Sequence, residues 1–173
     1  MTDKIHVNVF HINEDAAIPE YATEQSACFD IRANFKSVES VKGYSPLNHK
    51  TNLDVNVEGR SITIPAGFRC LIPTGLIFDI PEGYSLRLHP RSSFSLKKGL
   101  TLANAEGVID SDYYHETFVA ILNTSAVPVV IEHNDRVCQA EVVEVIQPHF
   151  GSLTEKPVQR TSRKGGFGST GEK

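Results

Sequence analysis

Cysteine is scarce in this chain and poorly spaced for chemistry. Cys28, Cys70 and Cys138 are odd in number, far apart and never in a Cys-x-x-Cys pair. That pattern excludes a disulfide framework and a cysteine-built zinc site, and it predicts reduced thiols in a cytosolic compartment. Positive charge is also in short supply. With 17 Lys and Arg against 21 Asp and Glu, the net charge of −4 excludes a general nucleic-acid binder, so an anionic ligand needs a local positive pocket. No apolar run is long enough to cross a bilayer. Residues 1–13 carry Asp3 and Lys4 and no long apolar stretch, unlike a signal peptide. Long helical periodicity is missing as well. What remains, 40% hydrophobic and 22% charged over 173 residues, is the composition of one ordinary globular domain. The expectation is a soluble cytoplasmic protein with neither a membrane nor nucleic acid as partner.

Short apolar–polar alternations fill the chain. Residues 5–10, 61–67, 70–83, 84–88, 118–122, 127–131 and 137–145 all read as strands, punctuated by Pro and Gly turns. Strands at that spacing predict an all-β barrel or sandwich. One helix is credible, over residues 92–98, with serines at its start, Lys97 and Lys98 in its last turn and Gly99 as its stop. Residues 35–59 are polar with brief alternation at Leu53, Val55 and Val57, and read as an excursion from the barrel holding a small hairpin. Residues 152–173, rich in Gly, Ser, Thr, Lys and Arg, read as a flexible tail.

The most informative run is Gly107-Val108-Ile109-Asp110-Ser111-Asp112-Tyr113, in which a strand leads into two acids and an aromatic ring. Such a run makes a polar turn, or it positions a water or metal beside a flat ligand. Pro90-Arg91-Ser92-Ser93 opens the helix, either as a cap with an exposed arginine or as a phosphate cradle of helix-start N–H groups, hydroxyls and guanidinium. In Asn134-Asp135-Arg136-Val137-Cys138-Gln139 a turn enters a strand. Gln139 presents a neutral amide there, and Asp135 with Arg136 suits a structural ion pair. Asp30 stands inside an apolar strand and needs a partner, Arg136 or a metal-bound water; its role is to pin the strand to a neighbouring subunit or to contact ligand. The tail run Gly165-Gly166-Phe167-Gly168-Ser169-Thr170-Gly171 follows Arg160, Arg163 and Lys164. Glycines that wrap phosphates around one stacking ring make it a lid rather than a passive linker.

In order, residues 27–31, 90–93, 107–113, 135–139 and 165–171 resemble the five motifs of the homotrimeric dUTP pyrophosphatases (dUTPases), and the strands between them match as well, so the resemblance spans nearly the whole chain. It implies a jelly-roll-like β-barrel of the β-clip type over residues 1–151, with an insertion near 36–59, and a tail over 152–173 that closes a neighbour's site as a lid. It implies a homotrimer with shared active sites, dUTP and water converted to dUMP and pyrophosphate, and Mg2+ carried on the triphosphate. Such an enzyme limits uracil incorporation into DNA and supplies dUMP for dTMP synthesis. By position, Asp110 activates the attacking water. Arg91, Ser92, Ser93 and Gln139 hold phosphates. Asn104, Gly107 and the backbone of Val108 and Ile109 read uracil from a hairpin. Tyr113 packs under the deoxyribose where a ribose 2′-hydroxyl does not fit. Arg163, Phe167, Gly168 and Ser169 close over the nucleotide, Phe167 stacking on the base. No protein side chain is implied as a direct metal ligand, though Asp30 reaches the ion through water in one version.

The sequence also departs from the family pattern. Cys28 and Asn134 stand where glycine is usual, and the tail arginine is out of register, leaving Arg160 and Arg163 as rivals for the γ-phosphate. A related family with the same fold, dCTP deaminase, needs a glutamate base where this chain has Ala120 and a helix arginine near Leu96, both apolar here. A third reading is a phage or viral-type member, placed in host cytoplasm, that binds a regulatory protein partner through the 36–59 insertion.

Overall fold

Period-two burial runs through most of the strands: inward residues of the strand over Ser61–Ile64 are Ile62 and Ile64, and those of the strand over Tyr84–His89 include Leu86 and Leu88, all at most 2% exposed. The computed structural model describes residues 5–47, 53–162 and 165. Its elements in chain order are β1 (Asn8–His11), β2 (Glu20–Tyr21), β3 (Phe29–Arg32), β4 (Ser40–Tyr44), β5 (Leu53–Asn56), β6 (Ser61–Ile64), β7 (Arg69–Pro73) and β8 (Leu76–Asp79). They continue with β9 (Tyr84–His89), α1 (Ser92–Lys98), β10 (Leu100–Leu102), β11 (Gly107–Asp110), β12 (Phe118–Asn123), β13 (Val129–Glu132) and β14 (Arg136–Glu144).

Two five-stranded antiparallel sheets carry the architecture, in the orders β10-β12-β7-β4-β5 and β11-β9-β14-β3-β2. The pairs β1–β8 and β13–β6 complete it. Non-sequential neighbours of this kind make the jelly-roll-like fold expected of the chain. The inner faces share one apolar cluster, with Ile31, Ile72, Leu86, Leu100, Ile121 and Val137 fully buried. At about 1.5–3 kcal/mol for each such side chain, this cluster is the main favourable term in folding. Among the described residues no helix is long and apolar enough to cross a membrane.

The helix forms where expected. Gly99 ends it at φ 66°, its N–H donating to the carbonyls of Phe94 and Ser95. The 35–59 segment does hold a hairpin, β4–β5, but not as an excursion. β4 is hydrogen-bonded to β7, so the hairpin extends the sheet, and Val41 and Phe35 lie in the core. Its outer pair is reinforced by Lys42 and Asp54, 2.6 Å apart.

Two placements matter for function. β14 lies between β9 and β3, so the start of β14, the end of β9 and β3 meet at one end of the sheet. β11 pairs with β9 antiparallel, setting Asp110 opposite Ser85 and Gly107 opposite Leu88, at the edge of the same sheet.

Candidate active site

At the first end the charges converge. Asp30 Oδ1 lies 2.7 Å from Arg91 Nε, and its Oδ2 lies 3.0 Å from Arg136 Nη1. Arg91 Nη1 also donates to the Arg136 carbonyl at 3.2 Å. The Asp30 and Arg91 side chains are only 17% and 19% exposed, so this is a largely buried bridge rather than a helix cap with a free arginine. α1 begins directly after Arg91, whose side chain gives no cap bond, and the first N–H groups of any helix lack intrahelical partners. Gln139 sits opposite both Asp30 and His89 in the ladders and donates its amide to the Pro90 carbonyl at 3.1 Å. One acid between two arginines leaves a net positive charge beside the hydroxyls of Ser92 and Ser93. Such a cluster has the sign of charge that an anionic ligand would need in an otherwise acidic chain.

The expected Asp135–Arg136 pair is not formed. Asp135 instead bonds Lys98 Nζ at 3.1 Å and accepts the Glu132 N–H at 3.2 Å, while Arg136 turns to Asp30. In the turn before them Asn134 takes φ 69°, the left-handed conformation that the usual glycine would hold. Cys138, next to this bridge, is fully buried; burial first, then the charge of Asp30, pushes its thiol far up and keeps it protonated. Cys28 is not among the residues at positive φ, so its side chain costs no backbone strain.

The other end of the sheet holds the second group. Asp110 closes β11, exposed, and a turn follows in which the Tyr113 N–H donates to the Asp110 carbonyl at 3.1 Å. A cleft of about 700 Å3 opens there, lined by Asp110, Ser111, Asp112 and Tyr114 together with Glu82 and Tyr84. The Tyr113 ring is 37% exposed, meets His115 edge-on at 5.6 Å, and its hydroxyl donates to the Glu116 carbonyl at 3.0 Å. Gly107 has no space for a side chain, because a Cβ would lie 2.9 Å from Leu88 across the ladder. Asn104 is exposed in the turn between β10 and β11, beside Ala105 at φ 62°. The expected hairpin is an arch here: β10 pairs with β12 and β11 with β9, so the turn crosses between sheets. Val108 is exposed and Ile109 partly buried, leaving the backbone edge of β11 open on the side away from β9.

Within one chain the two groups do not meet. Arg91 lies six positions beyond Ser85, the ladder partner of Asp110, and at about 3.3 Å per residue that is roughly 20 Å. The sequence placed Asp110, Asn104 and Tyr113 in one site with Arg91, Ser92, Ser93 and Gln139; the structure sets Asp110 and Tyr113 at the Ser85 end of β9, Arg91, Ser92, Ser93 and Gln139 at its other end, and Asn104 before β11, on the Leu88 side of that strand. Arg163, Phe167, Gly168 and Ser169 lie outside the described residues. Glu116, the carbonyl partner of Tyr113, went unnoticed in the sequence, its only signal being its place three residues after the tyrosine.

The family model described as dUTPase matches residues 48–171. The deoxyuridine 5′-triphosphate nucleotidohydrolase of Chlamydia abortus is 34% identical over 164 residues, covering 94% of this chain and 96% of that protein. Its counterpart from Fusobacterium nucleatum is 35% identical over 170 residues, covering 98% and 99%. Among solved structures, a dUTPase from Streptococcus mutans superposes with a TM-score of 0.63 at 26% identity, covering 83% of this chain and 98% of that one. The dUTPase of Staphylococcus bacteriophage 80alpha with dUPNHPP gives 0.74 at 20% identity, covering 96% and 98%, a likeness of fold. The chain belongs to the dUTPase family.

Proposed function

We propose that the protein hydrolyses dUTP to dUMP and pyrophosphate in sites that each draw Asp110 from one chain and Arg91 from another. The observation that carries this is the six-residue run from Ser85, the ladder partner of Asp110, to Arg91 just beyond β9, roughly 20 Å of extended backbone. A symmetric closed assembly of copies removes the gap, and the family's trimer is the smallest ring that shares sites head to tail.

In this mechanism Asp110 orients a water and takes its proton as the water oxygen bonds the α-phosphorus. The bridging α–β P–O bond breaks, and pyrophosphate leaves with the electron pair. Arg91, held by Asp30, and the start of α1 with Ser92, Ser93 and Gln139 neutralise the triphosphate oxygens. Asn104 and the open edge of β11 at Val108 and Ile109 meet the uracil edge, and Tyr113 packs against the deoxyribose. The tail, with Phe167 over the base and Arg160 or Arg163 on the γ-phosphate, closes the site. Magnesium, when bound, neutralises the triphosphate and retains several of its waters. The donors suit an ion brought by the substrate: no three His, Cys, Asp or Glu among the described residues are grouped to cage one, and both Asp30 oxygens already have an arginine. Within the 36–59 segment, the described strands β4 and β5 belong to the main sheet.

The test mixes two inactive variants. Asp110→Asn alone abolishes turnover but still binds nucleotide. Arg91→Ala alone loses activity and still folds, because Arg136 keeps Asp30 paired. Unfolded together and refolded at equal ratio, they regain activity at about one quarter of sites, since only one ordered neighbour pair in four carries both intact groups. A mixture no more active than its components refutes the shared site.

A further inference from the structure

We infer that Glu116 is a positioning residue for Tyr113, holding the ring against the substrate sugar by anchoring the loop after β11 to the β7–β8 turn. This rests on the reading of Tyr113 as the group that excludes ribose.

Glu116 works from both of its ends. Its main-chain carbonyl accepts the Tyr113 hydroxyl at 3.0 Å, and its carboxylate accepts the Gly75 N–H at 2.8 Å. The anchor is rigid. Gly75, at φ 71°, is so closely surrounded that a Cβ would lie 2.4 Å from Asn34 Nδ2 and 2.9 Å from Ala16 Cβ, and its carbonyl accepts the Ile12 N–H at 2.9 Å. Asn34 is itself fixed by Asn13, at 2.9 Å to Oδ1. Immediately beyond Glu116 the chain re-enters the sheet: the Thr117 N–H donates to the Leu76 carbonyl at 2.8 Å, and the Thr117 carbonyl accepts the Thr74 hydroxyl at 2.6 Å. Residues 111–115, by contrast, touch the body of the protein through few bonds and are mostly exposed. The loop bearing Tyr113 is therefore tied at the Asp110 turn and at Glu116.

The chemistry of the carboxylate supports an acceptor role. Burial pushes the Glu116 carboxyl up while the N–H groups of Gly75 and Thr74 oppose that shift, as donors to a charged oxygen do. A group with only a surface role has no need of such desolvation. Glu116 touches neither substrate nor reacting atoms in this scheme. Its effect reaches the reaction through the ring, and a displaced positioning group costs discrimination because the sugar pocket is a matter of fractions of an ångström.

The test measures kcat/KM for dUTP and for UTP with the full chain, and takes their ratio, so that any change in water activation common to both substrates cancels. Glu116→Ala lowers the ratio by about tenfold, mainly through a better KM for UTP, and Glu116→Gln, which keeps an oxygen for Gly75, restores it. Tyr113→Phe, lacking the hydroxyl that the Glu116 carbonyl holds, lowers the ratio as Glu116→Ala does and remains informative if the alanine variant does not fold. Tyr113→Ala separates the two readings. If it destroys discrimination while Glu116→Ala or Tyr113→Phe leaves the ratio unchanged, or if Glu116→Gln behaves as alanine, the Glu116 inference is overturned and the tyrosine reading stands. If Tyr113→Ala itself leaves discrimination intact, the sugar filter lies elsewhere and both fall.

Discussion

Replacing Asp30 with asparagine removes the charge that holds two guanidinium groups together while keeping the volume. The bond to Arg91 is the valuable one, since both side chains are more than four-fifths buried; a hydrogen bond to a charged group in such a setting contributes about 1.5–3 kcal/mol. Arg136 is 45% exposed, so its share is at most about 1 kcal/mol. The variant is therefore expected to lose about 2–4 kcal/mol, which for a chain of this size is a fall in Tm of roughly 5–15 °C. Thermal melts of both proteins at one fixed concentration read this directly, because association in the proposed ring would make Tm concentration-dependent. Freed from Asp30, Arg91 no longer points reproducibly at phosphate, and the KM for dUTP rises with it. A Tm within about 2 °C of the parent refutes the anchoring role. If the same variant instead shifts the magnesium dependence of turnover, Asp30 is reaching the ion through water and the bridge to Arg91 is incidental.

Two further outcomes are expected. Truncation after Arg160 lowers dUTP turnover by orders of magnitude without changing Tm or subunit number, as measured by pyrophosphate release and light scattering; an unchanged rate shows that the tail is no lid. His133 gives a pH signature: its Nδ1 accepts the Phe35 N–H at 3.0 Å, and burial together with Arg60 and Lys36, against the opposing pull of Asp15, holds it below the ordinary imidazole value of 6.5. The unfolded chain then binds the proton first, so stability is lost as pH falls below about 6.5, and denaturant unfolding between pH 7.5 and 5.5 should show a smaller loss in His133→Gln than in the parent.

The strands that carry the core were legible because they alternate under strong constraint. Ile62 and Ile64, or Leu86 and Leu88, leave little choice of face. β2 and β10 were not, because two or three residues have no period to read. β4 and β5 were half-legible: Val55 and Val57 suggested a hairpin, but only its pairing with β7 makes it part of the sheet, and that contact is long-range. The site divides the same way. The Asp110 run and the start of α1 were visible as local patterns. Arg91 as a partner of Asp30 was not, because the two come together only through the placement of β14 between β3 and β9. Asp135 and Arg136, adjacent in sequence, invited a pairing, but each finds a partner distant in sequence, Lys98 and Asp30, which no local pattern shows.

The six-residue span from Ser85 on β9 to Arg91 before α1 has a consequence for gene dosage. In the shared-site proposal it acts as a ruler, with Asp110 beside Ser85 serving one site and Arg91, just past the end of β9, serving another. A chain damaged at both ends subtracts two sites from whatever ring it joins. In a mixed population such subunits interfere with intact ones out of proportion to their number, while a chain too damaged to join the ring subtracts only itself.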